Sequence, residues 1–129
     1  MKNVADPLEK NDCTHVQCPV ETTLDIIGGK WKGIILYRLL DGKKRFNELK
    51  RLLPNITHRT LTMQLRELES DGILIRHVYA EVPPKVEYRL SPLGLSMTPI
   101  ITTIYNWGKM YQQNIREESK LSDPEMILP

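Results

Sequence analysis

Two sets of side chains in this sequence have the types and spacing to do chemistry. The first is Cys13, His15 and Cys18, the only two cysteines with a histidine between them. Cys18 directly precedes Pro19, a residue suited to the first position of a helix, and the partial positive charge there favours a thiolate. Cys18 therefore reads either as a reactive thiol or as a small buried hydrophobe. If it is oxidised to a sulfenic acid, Cys13 is placed to resolve it, within one chain or across a pair of chains. A permanent disulfide is not expected in a reducing compartment. Three donors are too few for a closed tetrahedral zinc site, so no metal and no cofactor are expected.

The second set is polar and lies in one helical segment. Leu61, Leu65 and Leu68 recur at i, i+4 and i+7, which puts them on one face of a helix from His58 to Ser70. At about 100° per residue, Arg59, Thr62, Met63, Arg66 and Ser70 fall opposite. His58 opens the helix behind Thr57, a suitable N-cap, and Gln64 lies nearer the apolar face. Imidazole, guanidinium, hydroxyl and amide groups together can bond base edges and phosphates. From Gly42 to Arg66 there are seven basic residues and one acidic residue, a local charge of +6 in a chain of net charge +2. Lys44 and Arg45 lie in that stretch. This is the footprint expected of a nucleic-acid contact, although a solvated basic face would look the same by charge alone.

The flanking elements predict how these groups are held. Residues 1–17 are polar and aperiodic and read as an arm. Val20, Leu24 and Ile27 give a helix from Pro19 that Gly28-Gly29 ends. Lys30 to Leu40 is apolar almost all round and predicts a buried helix. A short extended piece, Lys44 to Phe46, leads to Asn47, a plausible cap for a helix from Glu48 to Leu53, stopped by Pro54-Asn55. Beyond Asp71-Gly72, Ile73 to Val82 and Lys85 to Leu90 read as strands, with Val82-Pro83-Pro84-Lys85 as a rigid hairpin tip. Ser91-Pro92 opens a long helix to about Ile115, kinked at Pro99, followed by a loose polar tail.

The fold class expected is therefore mainly α with a small β-hairpin, a winged helix-turn-helix with flanking helices at both ends. The helix pair joined by Pro54-Asn55-Ile56-Thr57 has helix-turn-helix proportions, and in that motif the second helix enters the major groove. Lys85 at the hairpin tip is expected to touch the DNA backbone rather than read bases. The domain is placed at residues 18–115, between the arm and a tail at 116–129.

The segment from Cys18 to about Trp107 resembles the HxlR-type winged-helix regulators, relatives of the MarR group. The resemblance is carried by CPVE at Cys18–Glu21, GGKW at Gly28–Trp31, RFNEL at Arg45–Leu49, LRELESDG at Leu65–Gly72, VPPKVEY at Val82–Tyr88 and LSPLG at Leu90–Gly94. It implies a homodimer built through the terminal helices, acting on double-stranded operator DNA of dyad symmetry. Leu24, Ile100, Ile104, Tyr105, Trp107 and Tyr111 are the interface expected, and Ile101 is read as exposed beside them. Members that respond to oxidants or electrophiles share a cysteine at the CPVE position, which implies a sensor role for Cys18. A small-molecule effector is the other way such a regulator is switched.

Other classes fit poorly. There is no Gly-rich phosphate loop, no HExxH and no recognisable nucleophile-base set, so an enzyme is not expected. A winged-helix module that binds protein would carry apolar residues on the outward face of its second helix, and only Met63 qualifies. No apolar run approaches the roughly 18–20 residues that span a bilayer, and no secretory leader is visible, so a cytoplasmic location is expected.

Overall fold

The computed structural model describes residues 17–121. The elements run α1 (Pro19–Ile27), α2 (Lys32–Leu39), β1 (Lys44–Arg45), α3 (Phe46–Leu52), α4 (His58–Ser70), β2 (Leu74–Tyr79), β3 (Lys85–Leu90), α5 (Pro92–Leu95) and α6 (Thr98–Leu121). The sheet has three antiparallel strands in the order β1-β3-β2. Leu74 faces Leu90 and Tyr79 faces Lys85 across the hairpin, and Lys44 pairs with Tyr88 on the other side. The winged helix-turn-helix expected from the sequence is thus the fold observed.

One core holds these parts together. Ile35, Leu36 and Leu39 of α2, Leu49 of α3 and Leu61, Leu65 and Leu68 of α4 are all buried. They meet Leu74, Tyr88 and Leu90 of the sheet and Met97 and Ile101 beyond it. Burying a Leu or Ile side chain contributes about 1.5–3 kcal/mol each, so this cluster fixes the angle at which α4 is presented. A 2.8 Å ion pair from Lys32 Nζ to Glu67 Oε1 adds a polar tie between α2 and α4.

The end of α4 shows how local chemistry sets the next element. The Gly72 N–H donates to the Glu69 carbonyl at 2.9 Å and the Ile73 N–H to the Leu68 carbonyl at 2.9 Å. This is a Schellman closure, with Gly72 at φ +79° in the left-handed region. The chain leaves directly into β2. Ser91 closes the other end of the hairpin: its hydroxyl donates to the Gly72 carbonyl at 2.6 Å and accepts the Gly94 N–H at 2.9 Å.

Several boundaries differ from the sequence expectation: the second helix runs Lys32–Leu39 rather than Lys30–Leu40, and the first hairpin strand Leu74–Tyr79 rather than Ile73–Val82. The third helix begins at Phe46, not Glu48, and Arg45 takes the cap position assigned to Asn47. Glu48 decides this, because from the earlier start it sits at the third helical position and accepts the Arg45 N–H at 2.7 Å. The long C-terminal helix is broken rather than kinked: α5 stops at Leu95 and α6 starts at Thr98. Pro99 then occupies the first turn of α6, where a missing N–H costs nothing. Finally, α6 continues to Leu121, through residues 116–121 that were expected to be loose.

Candidate nucleic-acid interface

Thr57 caps α4 through its hydroxyl, which accepts the Thr60 N–H at 3.0 Å and also bonds the Thr60 hydroxyl at 3.0 Å. With Thr57 so committed, the helix presents His58, Arg59, Met63 and Arg66 exposed, while Thr62 and Gln64 are half-buried. The Thr62 hydroxyl donates back to the His58 carbonyl at 2.9 Å, so its proton is already used within the helix. The His58 ring rests on Phe46, centroids 4.6 Å apart at 47°, so the start of α4 is buttressed by the start of α3. Arg59 and Arg66 make no salt bridge among the described residues.

The other predicted cations are less free. Lys44 Nζ lies 2.6 Å from Asp41 Oδ1 and its side chain is 16 % exposed. The Asp41 carboxyl is held below the usual carboxylate range by that same lysine. Lys85 Nζ is 3.7 Å from Glu87 Oε2 and 4.7 Å from the centre of the Tyr79 ring, with 28 % of its side chain exposed. Arg45 is exposed at the junction of β1 and α3.

Sequence reasoning missed Glu87, which strand alternation assigns outward but which is only 9 % exposed. Lys43, 3.3 Å from its carboxylate, was counted only as part of the basic run. Also missed were Arg76 and Glu69. Both line a cleft of about 400 Å³ between α4 and the β2–β3 hairpin, together with His58, Thr62 and Arg66. The signal for Arg76 was period two, since it shares a strand face with Leu74 and pairs with Tyr88, which lines the same cleft.

The predicted interface residues on the terminal helices fall into two groups. Ile100, Ile104, Trp107 and Tyr111 are exposed at i, i+4, i+7 and i+11 along α6, continued by Ile115, and Leu24 is exposed on α1. Trp107 and Tyr111 stack on each other, centroids 5.2 Å apart. Tyr105 instead stacks on Tyr37 of α2 at 4.8 Å and is partly engaged within the chain. Ile101, expected among the exposed residues, is 3 % exposed and belongs to the core. Turned by 100° from Ile100, it points at α2.

Cys18 is the residue before α1, half-buried, with its N–H accepted by the Glu21 carboxylate at 3.2 Å. It is disulfide-bonded, although the sequence expectation was that a reducing compartment would leave no permanent bridge. Cys13 and His15 lie outside the described residues. Among the described residues no group of three His, Cys, Asp or Glu could hold a metal ion, and no helix is long and apolar enough to cross a membrane.

The sequence profile of the HxlR-like helix-turn-helix family matches residues 26–116. The chain belongs to that family. Among its relatives is the HTH-type transcriptional regulator YdeP of Bacillus subtilis strain 168, 62% identical over 98 residues, which cover 76% of this chain and 77% of YdeP. Among solved structures, the redox regulator HypR in its oxidised form is 60% identical, with a TM-score of 0.70, over 72% of this chain and 96% of HypR. The reduced form of HypR is 56% identical, with a TM-score of 0.73, over 77% of this chain and 98% of that one. This HxlR-like chain is a helix-turn-helix transcriptional regulator that binds DNA, and not an enzyme.

Proposed function

We propose that this HxlR-like regulator acts in the cytoplasm as a homodimer on operator DNA of dyad symmetry, and that oxidation at Cys18 switches it. The observation that carries the DNA reading is the outward face of α4, where His58, Arg59 and Arg66 stand exposed on a capped helix anchored by three buried leucines. Arg59 reads bases, Thr62 and Gln64 assist, and Arg45, Lys44 and Lys85 touch the backbone, the last two after loosening their carboxylate partners. Thr57 serves chiefly by holding the helix start, whose N–H groups favour phosphate.

The dimer is supported by α6. From Thr102 to Ser119 every residue except Gly108 is exposed, so this helix carries a stripe from Ile100 to Ile115 that its own domain does not cover. A second copy of α6, with Leu24 of α1 at its edge, would bury that stripe and set two α4 helices about 34–36 Å apart, one turn of DNA. Thiol switching is supported by the disulfide-bonded state of Cys18 at the start of α1 and by the oxidised and reduced forms in which HypR is known. Cys13 is proposed as the resolving thiol.

A mobility-shift titration on the DNA upstream of the protein's own gene tests both parts, with and without a thiol oxidant, for wild type and Cys18→Ser. DNA affinity that changes on oxidation in wild type alone supports the switch. Affinity indifferent to oxidant leaves the DNA function standing and reduces Cys18 to a structural role. A ligand-responsive regulator without thiol sensing is the second reading. It is favoured by an apolar pocket of about 350 Å³ between α2 and α6, walled by Ile27, Ile34, Ile104 and the stacked Tyr37–Tyr105 pair. A small molecule that raises Tm and releases DNA, where oxidant does neither, would select it.

A further inference from the structure

We propose that the cleft between α4 and the β2–β3 hairpin is a cradle for one phosphodiester strand of the DNA, gripped by Arg76 and Arg66 and opposed by Glu69. The inference rests on the DNA-binding reading and adds a site to it. With α4 in the major groove and Lys85 of the hairpin against the DNA backbone, the ridge that borders the groove must pass between helix and hairpin. That ridge is the sugar-phosphate backbone of one strand. The space available for it is the cleft of about 400 Å³.

The lining matches this occupant in two layers. Phe46, Val86 and Tyr88 supply apolar surface of the kind a deoxyribose ring covers. Arg66 from the third turn of α4 and Arg76 from β2 bring two guanidiniums from different elements, both exposed and neither in a salt bridge among the described residues. A guanidinium fork suits a phosphate because it places parallel N–H groups on two oxygens. His58, at the start of the helix, adds a ring N–H at the other end of the cleft.

Among the described residues, Glu69 is the one acid lining the cleft. Set beside a phosphate it repels, which lowers affinity for every sequence equally. The cradle is thus a sequence-independent grip with a built-in brake, and base reading is left to the early residues of α4.

The test uses the full-length protein and a mixed-sequence DNA duplex, titrated across a range of salt, since a backbone contact needs no operator. Arg76→Ala is expected to weaken binding roughly tenfold and to reduce the slope of log K against log salt by about one. Arg76→Lys should restore the slope. Glu69→Gln should tighten binding roughly threefold. Arg116→Ala, which removes the same charge far along α6, should change the affinity much less than Arg76→Ala. Unchanged melting of Arg76→Ala would show that the exposed site is not needed for folding.

Wild-type affinity and slope in Arg76→Ala, with the wild-type protein still binding the duplex in a salt-dependent way, would overturn the cradle and leave the DNA reading intact. An Arg76→Ala defect confined to one DNA sequence would also overturn it, because it would make Arg76 a base reader. A wild-type protein that binds no duplex at low salt would overturn both readings.

Discussion

The Tyr79 hydroxyl donates a 2.8 Å hydrogen bond to Glu87 Oε1, joining the outer end of β2 to the middle of β3. The same carboxylate takes Lys43 Nζ at 3.3 Å from the loop before β1 and Lys85 Nζ at 3.7 Å. Lys85 in turn lies over the Tyr79 ring, and His77 meets that ring edge-on at 4.3 Å. One carboxylate therefore ties together the three strands and sets the pose of the hairpin.

Glu87 is held below the usual carboxylate range, first by the Tyr79 hydrogen bond and then by Lys43, against the upward push of desolvation. A carboxyl lowered on folding adds stability above its unfolded pKa, and that stability is lost as pH falls through the folded value. Glu87→Gln is expected to lower Tm by a few degrees at neutral pH. The gap to wild type should close as pH drops through and below the carboxylate range. Thermal melts from neutral to acid pH check this, and a gap that stays constant with pH would overturn it.

Lys44 and Arg59 should part company in DNA binding. Lys44 is already paired with Asp41 at 2.6 Å, whereas Arg59 stands exposed on α4. Arg59→Ala is expected to cost about 1–3 kcal/mol on a selected operator and to relax its base preference. Lys44→Ala should lower affinity for all sequences by less than one full phosphate contact, since its gain is offset by breaking the Asp41 pair. Salt titrations of both variants, with Asp41→Asn to release the lysine, measure the difference.

Gly94→Ala should destabilise the domain although it adds one methyl group. A Cβ there would stand 2.2 Å from the Ile73 carbonyl oxygen, backbone against backbone. The cost expected is about 1–3 kcal/mol or more, read as a lower urea midpoint with an unchanged m-value.

Trp107→Glu combined with Tyr111→Glu should leave the domain folded and leave the chain monomeric. Trp107 is 59 % exposed and, among the described residues, stacks only on Tyr111 a turn away. Sedimentation of wild type as a dimer and of the double variant as a monomer with unchanged helical content is the outcome expected. Operator affinity should fall with it, because two half-sites no longer bind as one unit.

Much of this arrangement was legible residue by residue. Leu61, Leu65 and Leu68 declared the buried face of α4, Thr57 its start and Asp71-Gly72 its end, and all three hold. Helix boundaries failed where one residue has two local options. Asn47 is a good cap in isolation, but Glu48 reaches back to Arg45 and moves the start. Pro99 reads as a kink inside a long helix until the break at Ser96 and Met97 makes it a first-turn residue.

Local order along the chain was enough to determine the winged helix-turn-helix, because periodicity, caps and turn residues act over a few positions and each agrees with the fold. The pairing of charges could not be read that way. Whether Lys44 is free or held by Asp41, whether Glu87 faces solvent or three partners, and whether Arg66 meets Arg76 across a cleft depend on residues brought together from separate elements. Hydrogen bonds act over about 3 Å and screened charges over about 8–10 Å, so only the tertiary structure decides which charges are spent inside the protein and which are left for a partner.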